Sequence, residues 1–131
     1  GSGVLAIAAL KLGCSSATGV DIDPQALIAT QQNASDNEVS ENLNVLGAAI
    51  DITDEFDVVI ANILAGPLIQ FAESITRTLR ELGMLALSGI LHEQADDVMT
   101  AFEPWIEFDP PVFREQDGQI WSRLTGKRRA D

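Results

Sequence analysis

The segment Asp57-Val58-Val59-Ile60-Ala61-Asn62-Ile63-Leu64-Ala65-Gly66-Pro67-Leu68 constrains this chain more than any other. A β-branched apolar run suits a buried strand, and here it ends on an amide followed at once by a Gly-Pro helix start. Strand running into helix is the repeating unit of α/β folds. In open sheets of that kind ligands sit outside the carboxyl ends of the strands, which is where the Asn62 side chain falls. Asn62 is therefore read as a working residue. The competing reading makes it a cap for the helix that follows.

The same alternation extends along the chain. Residues 4–12 are apolar nearly all round, with Leu5, Ala8, Ala9 and Leu12 at helical spacing, and read as a buried helix stopped by Gly13. Residues 18–22 form a short strand ending on acids. Asp23 then serves as N-cap and Pro24 as first helical residue of a helix reaching Asp36, with Leu27, Thr30, Gln31 and Ala34 inward. Residues 43–46 and 56–61 are strands. Leu68, Phe71, Ala72, Ile75, Leu79 and Leu82 predict one long amphipathic helix ended by Gly83. Residues 84–88 form a continuous apolar strand, suited to a parallel sheet covered on both faces. Ala95, Val98, Met99 and Phe102 share a helix face ended by Glu103-Pro104. Residues 106–114 and 119–126 flank Asp117-Gly118, a hairpin signal. The expectation is one domain over residues 1–131, a mostly parallel α/β sheet closed by an antiparallel C-terminal hairpin.

Composition removes several functions. The net charge is −12, and the single basic cluster, Lys127-Arg128-Arg129, reads as a solvated tail, so nucleic acid is not expected as a direct ligand. No apolar run approaches the ~18 residues of a membrane span, and no secretory signal opens the chain. A lone Cys14, in a turn and without an activating His, reads as inert and suits a reducing, cytoplasmic setting. No metal-ligand spacing appears. His92, the sole histidine, reads as solvated beside Glu93. Trp105 and Trp121 read as packing around the hairpin.

Gly1-Ser2-Gly3 leads directly into the first helix, where a nucleotide-binding fold has a glycine turn. Asp21 ends the next strand near the ~20-residue spacing expected of an acid that holds a ribose hydroxyl. A carboxylate suits vicinal hydroxyls because it accepts two hydrogen bonds. This arrangement also serves dinucleotides, so a nicotinamide-dependent oxidoreductase is the rival reading. It lacks a complete Gly-x-Gly-x-x-Gly, and the chain contains no Tyr to handle a hydride.

Gly1-Ser2-Gly3, Val20-Asp21-Ile22-Asp23-Pro24, the segment from Asn62 to Leu68 and Leu87-Ser88-Gly89-Ile90-Leu91 together resemble the class I S-adenosylmethionine-dependent methyltransferases. More narrowly they resemble the PrmA family, which methylates large-subunit ribosomal protein eleven. The resemblance spans the chain, including Trp121-Ser122-Arg123-Leu124-Thr125-Gly126. It implies a Rossmann-like sheet, S-adenosyl-L-methionine as methyl donor, and amino groups of a ribosomal protein as acceptor, in a monomeric enzyme. It assigns Gly1 and Gly3 to the loop around the donor's methionine part, Asp21 to the ribose and Ile22 to the adenine. Asn62, with the backbone of Ile63 and Leu64, would face the methyl and the incoming amine, and the loop 48–52 would border the adenine. By the same resemblance the sheet's first strand and a preceding substrate-recognition domain are missing from this sequence, which leaves independent activity of the fragment an open question. Another amine acceptor, or donor binding without catalysis, would leave the same residues in place.

Overall fold

The computed structural model describes residues 3–21, 23–47 and 55–130. They fall in two compact units, Gly1–Thr53 and Asp54–Asp131.

In the first unit helix α1 (Val4–Lys11) precedes strand β1 (Ala17–Val20), helix α2 (Pro24–Asp36) and strand β2 (Leu43–Leu46). β1 and β2 pair in parallel, Ala17 against Leu43 through Val20 against Leu46. α2 starts as its sequence predicts: Asp23 is extended and its carboxylate accepts from Gln25 N at 2.9 Å, with Pro24 in the first turn. It ends in a Schellman pattern, Glu38 N donating to Ser35 O and Val39 N to Ala34 O, with Glu38 left-handed at φ 61°. Ile7, Leu10, Ala34 and Val39 form the core, with Ala17 and Leu43 against it. The buried stripe of α1 is therefore Ile7 and Leu10, and the expected Leu5, Ala8, Ala9 and Leu12 face is displaced. A helix apolar all round carries no sequence signal for which face turns inward. In α2, Thr30 and Ala34 are buried as expected, while Gln31 is exposed.

The second unit holds β3 (Phe56–Asn62), α3 (Ala65–Gln70), α4 (Ala72–Arg77), β4 (Leu79–Leu91), α5 (Ala95–Phe102), β5 (Ile106–Phe108), β6 (Val112–Gln116) and β7 (Gln119–Arg128). Its sheet runs β3-β4-β7-β5, with β6 also on β7. β3 and β4 are parallel, and every pairing of β7 is antiparallel. The mixed α/β sheet with an antiparallel C-terminal part is the expected one. Leu68, Leu85, Leu87, Val98, Phe102 and Leu124 lie in one core. Phe102 and Phe108 meet edge-to-face at 6.4 Å. The expected cover on both faces is met on one within this unit: Val58, Ile60 and Met84 on the opposite face are about half exposed.

Three expectations change here, the first being the solvated tail: Lys127 and Arg128 belong to β7, and the Arg128 guanidinium donates to Thr76 O and Leu79 O. The single helix from Leu68 to Leu82 is two short helices, broken at Phe71, and it stops at Arg77. Leu79 is fully buried as the first residue of β4, opposite Phe56. Leu82 has φ 63°, incompatible with a helix, and Gly83 lies in the irregular stretch where the β3–β4 register shifts. Its added Cβ would come within 2.7 Å of Arg80 O, so Gly83 serves a tight bulge and not a helix end. The segment 106–114 is likewise divided into β5 and β6, because Pro110 and Pro111 donate no backbone hydrogen bond. Asp117 (φ 53°) and Gly118 (φ 79°) make the predicted two-residue turn.

Candidate active site

Asn62 is the last residue of β3 and pairs with Ser88 of β4. The helix beyond it, α3, takes Leu64 as its N-cap, with no side-chain cap. Pro67 sits in the first turn, where its missing N–H costs nothing, and Gly66 before it has no Cβ to clash with the proline ring. Asn62 is thus not a helix cap. Its side chain is exposed, and among the described residues the amide has no hydrogen-bond partner.

The shape around that amide is set by a bulge in β4. Leu87 pairs with Leu124 and Ile90 with Ser122, so Ser88 and Gly89 together face one residue of β7. Gly89 has φ 81°, the conformation such a bulge asks of glycine. A Cβ there would fall 2.8 Å from Asn62 Oδ1 and 2.9 Å from Ile63 O. The missing side chain gives the amide its place.

Asn62, Ser88 and Gly89 form one side of an open cavity of about 480 Å³, and Val112, Arg114, Gln116, Trp121, Ser122 and Arg123 form the other. The volume is in the range of small-molecule sites. Ser122 is buried, and its hydroxyl has no hydrogen-bond partner among the described residues. The hairpin residues carry no site signal in the sequence, because only the β7 register brings them beside β4. Gly89 had a signal, since glycine within an apolar strand marks a bulge. Trp121 lines this cavity, and Trp105 packs against the core. His92 is exposed, with Nδ1 3.1 Å from Glu93.

The remaining predicted site residues belong to the first unit. Gly3 precedes α1 with φ 79°, and a Cβ there would clash with the Thr30 methyl and lie 3.0 Å from Thr30 Oγ1. Glycine is needed here for the chain's own packing on α2, whatever a ligand asks. Asp21 follows β1; its N–H donates to Leu46 O at 3.1 Å and its Oδ1 accepts from Asp23 N at 3.0 Å. The carboxylate thus orders the turn into α2. Gly1, Ile22 and the loop 48–52 lie outside the described residues. Among the described residues no cluster of His, Cys, Asp or Glu could hold a metal ion, and no helix is long and apolar enough to cross a membrane.

A strand-end acid before a capped helix, and a strand-end amide beside a glycine bulge in a sheet closed by antiparallel strands, define a Rossmann-like fold of the class I methyltransferase type. The family model described as ribosomal protein L11 methyltransferase (PrmA) matches residues 1–129, and the chain belongs to that family. It is 48% identical over 130 residues to the ribosomal protein L11 methyltransferase of Chromobacterium violaceum, covering 99% of this chain and 42% of that protein. The chain thus spans about two fifths of the length of such relatives. The crystal structure of a ribosomal protein L11 methylase from Lactobacillus delbrueckii subsp. bulgaricus superposes with a TM-score of 0.88 at 31% identity, covering 99% of this chain and 67% of that one. The N-methyltransferase NodS from Bradyrhizobium japonicum, solved with S-adenosyl-L-homocysteine, gives 0.71 at 12% identity over 90% of this chain and 70% of that one, a likeness of fold alone.

Proposed function

We propose that this chain is the donor-binding and catalytic part of an S-adenosylmethionine-dependent N-methyltransferase acting on amino groups of large-subunit ribosomal protein L11 in the cytoplasm. Membership of the L11 methyltransferase family supports the reaction and the acceptor. The unbroken match over residues 1–129 supports one domain working as a whole. The observation that carries the catalytic assignment is the unpartnered Asn62 amide beside Gly89 in an open cavity.

The fit to the donor lies in the chemistry of the residues. Asp21 offers a carboxylate for ribose hydroxyls, and Gly1, Gly3 and Ile22 complete its surroundings by family resemblance. When bound, S-adenosylmethionine supplies an electrophilic methyl group on a sulfonium. The chain's own task is to present a neutral amine in line with it, since an ammonium has no lone pair. A lysine with reference pKa ≈ 10.4 must first lose a proton, and an α-amine at 7.7–8.0 is partly ready. The Asn62 carbonyl accepts an N–H from the amine and so aims its lone pair, while the backbone of Ile63 and Leu64 borders the same place. A neutral amide adds no charge that would stabilise the ammonium. Positioning of this kind supplies much of the rate.

The test is Asn62→Ala in the full-length enzyme, with methyl transfer to L11 followed by mass spectrometry and S-adenosylhomocysteine affinity by calorimetry. Turnover is expected to fall about 100-fold or more, the usual scale for loss of a positioned polar group, with affinity changed only a few-fold. Unchanged turnover with intact donor binding would sink the assignment.

A further inference from the structure

The cavity wall opposite Asn62 carries two arginines, Arg114 on β6 and Arg123 on β7. Arg114 pairs with Trp121 and Arg123 with Val112. Paired residues share a face and so do residues two apart along β7, which makes the arginines diagonal neighbours on one face of the hairpin. The chain holds 20 acidic and 8 basic residues, so a neighbouring acid would be the ordinary partner. Among the described residues that line the cavity none is acidic. Arg77 and Arg80 pair with Glu73 and Asp57, while Arg128 and Arg129 donate to backbone carbonyls. Arg114 and Arg123 have neither a hydrogen bond nor an ion pair among the described residues. Two like charges side by side with no anion between them repel, and a bound carboxylate removes that repulsion.

We propose that Arg114 and Arg123 form a carboxylate clamp for the acceptor polypeptide, holding an Asp or Glu close in sequence to the amine that reaches Asn62. This rests on the amine-acceptor reading above. Guanidinium groups suit a carboxylate because their planar donors bind it in pairs. Distance sets the spacing. β7 is two strands from β3 and β6 is three, about 10 and 14 Å at ~4.8 Å per strand. An extended chain advances ~3.3 Å per residue, so the acid lies roughly three to four residues from the methylated one. A nucleic-acid phosphate is the less favoured anion: phosphate backbones are bound by runs of cations, and this wall offers two in a chain of net charge −12.

The test uses the full-length enzyme with intact L11, and with L11 in which every Asp and Glu within four residues of a methylated amine is changed to Asn or Gln. With the wild-type enzyme, the changed acceptor is expected to raise KM at least 10-fold while kcat moves less than 3-fold. In the enzyme carrying Arg114→Gln and Arg123→Gln, both acceptors should show the same raised KM. Equal KM for the two acceptors with the wild-type enzyme overturns the clamp while leaving methyl transfer to L11 standing. No transfer to intact L11 overturns the acceptor reading and the clamp with it. An RNA oligonucleotide that inhibits the wild type but not the double variant, with no effect of the acid replacements, overturns the carboxylate in favour of a phosphodiester.

Discussion

At Gly89 a single methyl group would meet the two atoms that define the candidate site. The positive φ disfavours any L side chain, and the Cβ would fall 2.8 Å from Asn62 Oδ1. Gly89→Ala is therefore expected to cost about 1–3 kcal/mol of stability, read by denaturant unfolding, and to lower turnover by displacing the amide. Asn62→Asp tests charge where Asn62→Ala tests position. A carboxylate beside the amine raises the amine's pKa, because it favours the ammonium. The rising limb of kcat against pH should thus move to higher pH in the Asp variant and stay put in the Ala variant. An unmoved limb in the Asp variant would place the amine away from residue 62. Asn62 was legible in the sequence because a strand, an amide and a Gly-Pro helix start lie in one run. Arg114 and Arg123 were not, since their place beside Asn62 depends on β7 lying against β4 in a particular register.

Among the elements, local chemistry is legible in the sequence, while period holds for α5, where Ala95, Val98 and Phe102 are buried, and fails beyond α3. The start of α2 followed from Asp23 and Pro24, and the hairpin turn from Asp117-Gly118. The periodic leucines from 68 to 82 misled because Leu79 is buried for another reason, as the first residue of a strand. Thr78 closes the helical part with its hydroxyl on Ile75 O at 2.7 Å, and Phe56 N donates to Thr78 O at 2.8 Å. Tertiary pairing wins over a helical repeat once the backbone has a strand to join. The end of α2 offers a direct test at this scale. Glu38 occupies the left-handed position of the Schellman pattern, which glycine takes without strain. Glu38→Gly should stabilise the protein by about 0.5–1 kcal/mol, seen as a higher urea midpoint with an unchanged slope. A lower midpoint would mean that the Glu38 side chain contributes more than its backbone strain costs.

Across the whole chain, two electrostatic effects oppose each other and their sizes decide the response to salt. Ion pairs among the described residues include Arg77–Glu73 and Arg80–Asp57, both on exposed side chains. Pairs of this kind contribute about 0–1 kcal/mol each, and screening removes part of that. Against them stands the self-repulsion of a net charge of −12, which compacting the chain increases. The imbalance of 20 acids over 8 bases leaves most carboxylates without a basic partner, so the repulsive sum is the larger. Raising sodium chloride from about 10 to 150 mM shortens the screening length from roughly 30 to 8 Å, reaching most charge separations on a chain this size. Stability of the 131-residue chain should rise by about 1 kcal/mol, or roughly 3–5 °C in Tm. Chloride is the right salt, because sulfate stabilises by exclusion whatever the protein's charge. A Tm that falls over the same range would show that the few ion pairs outweigh the acidic excess.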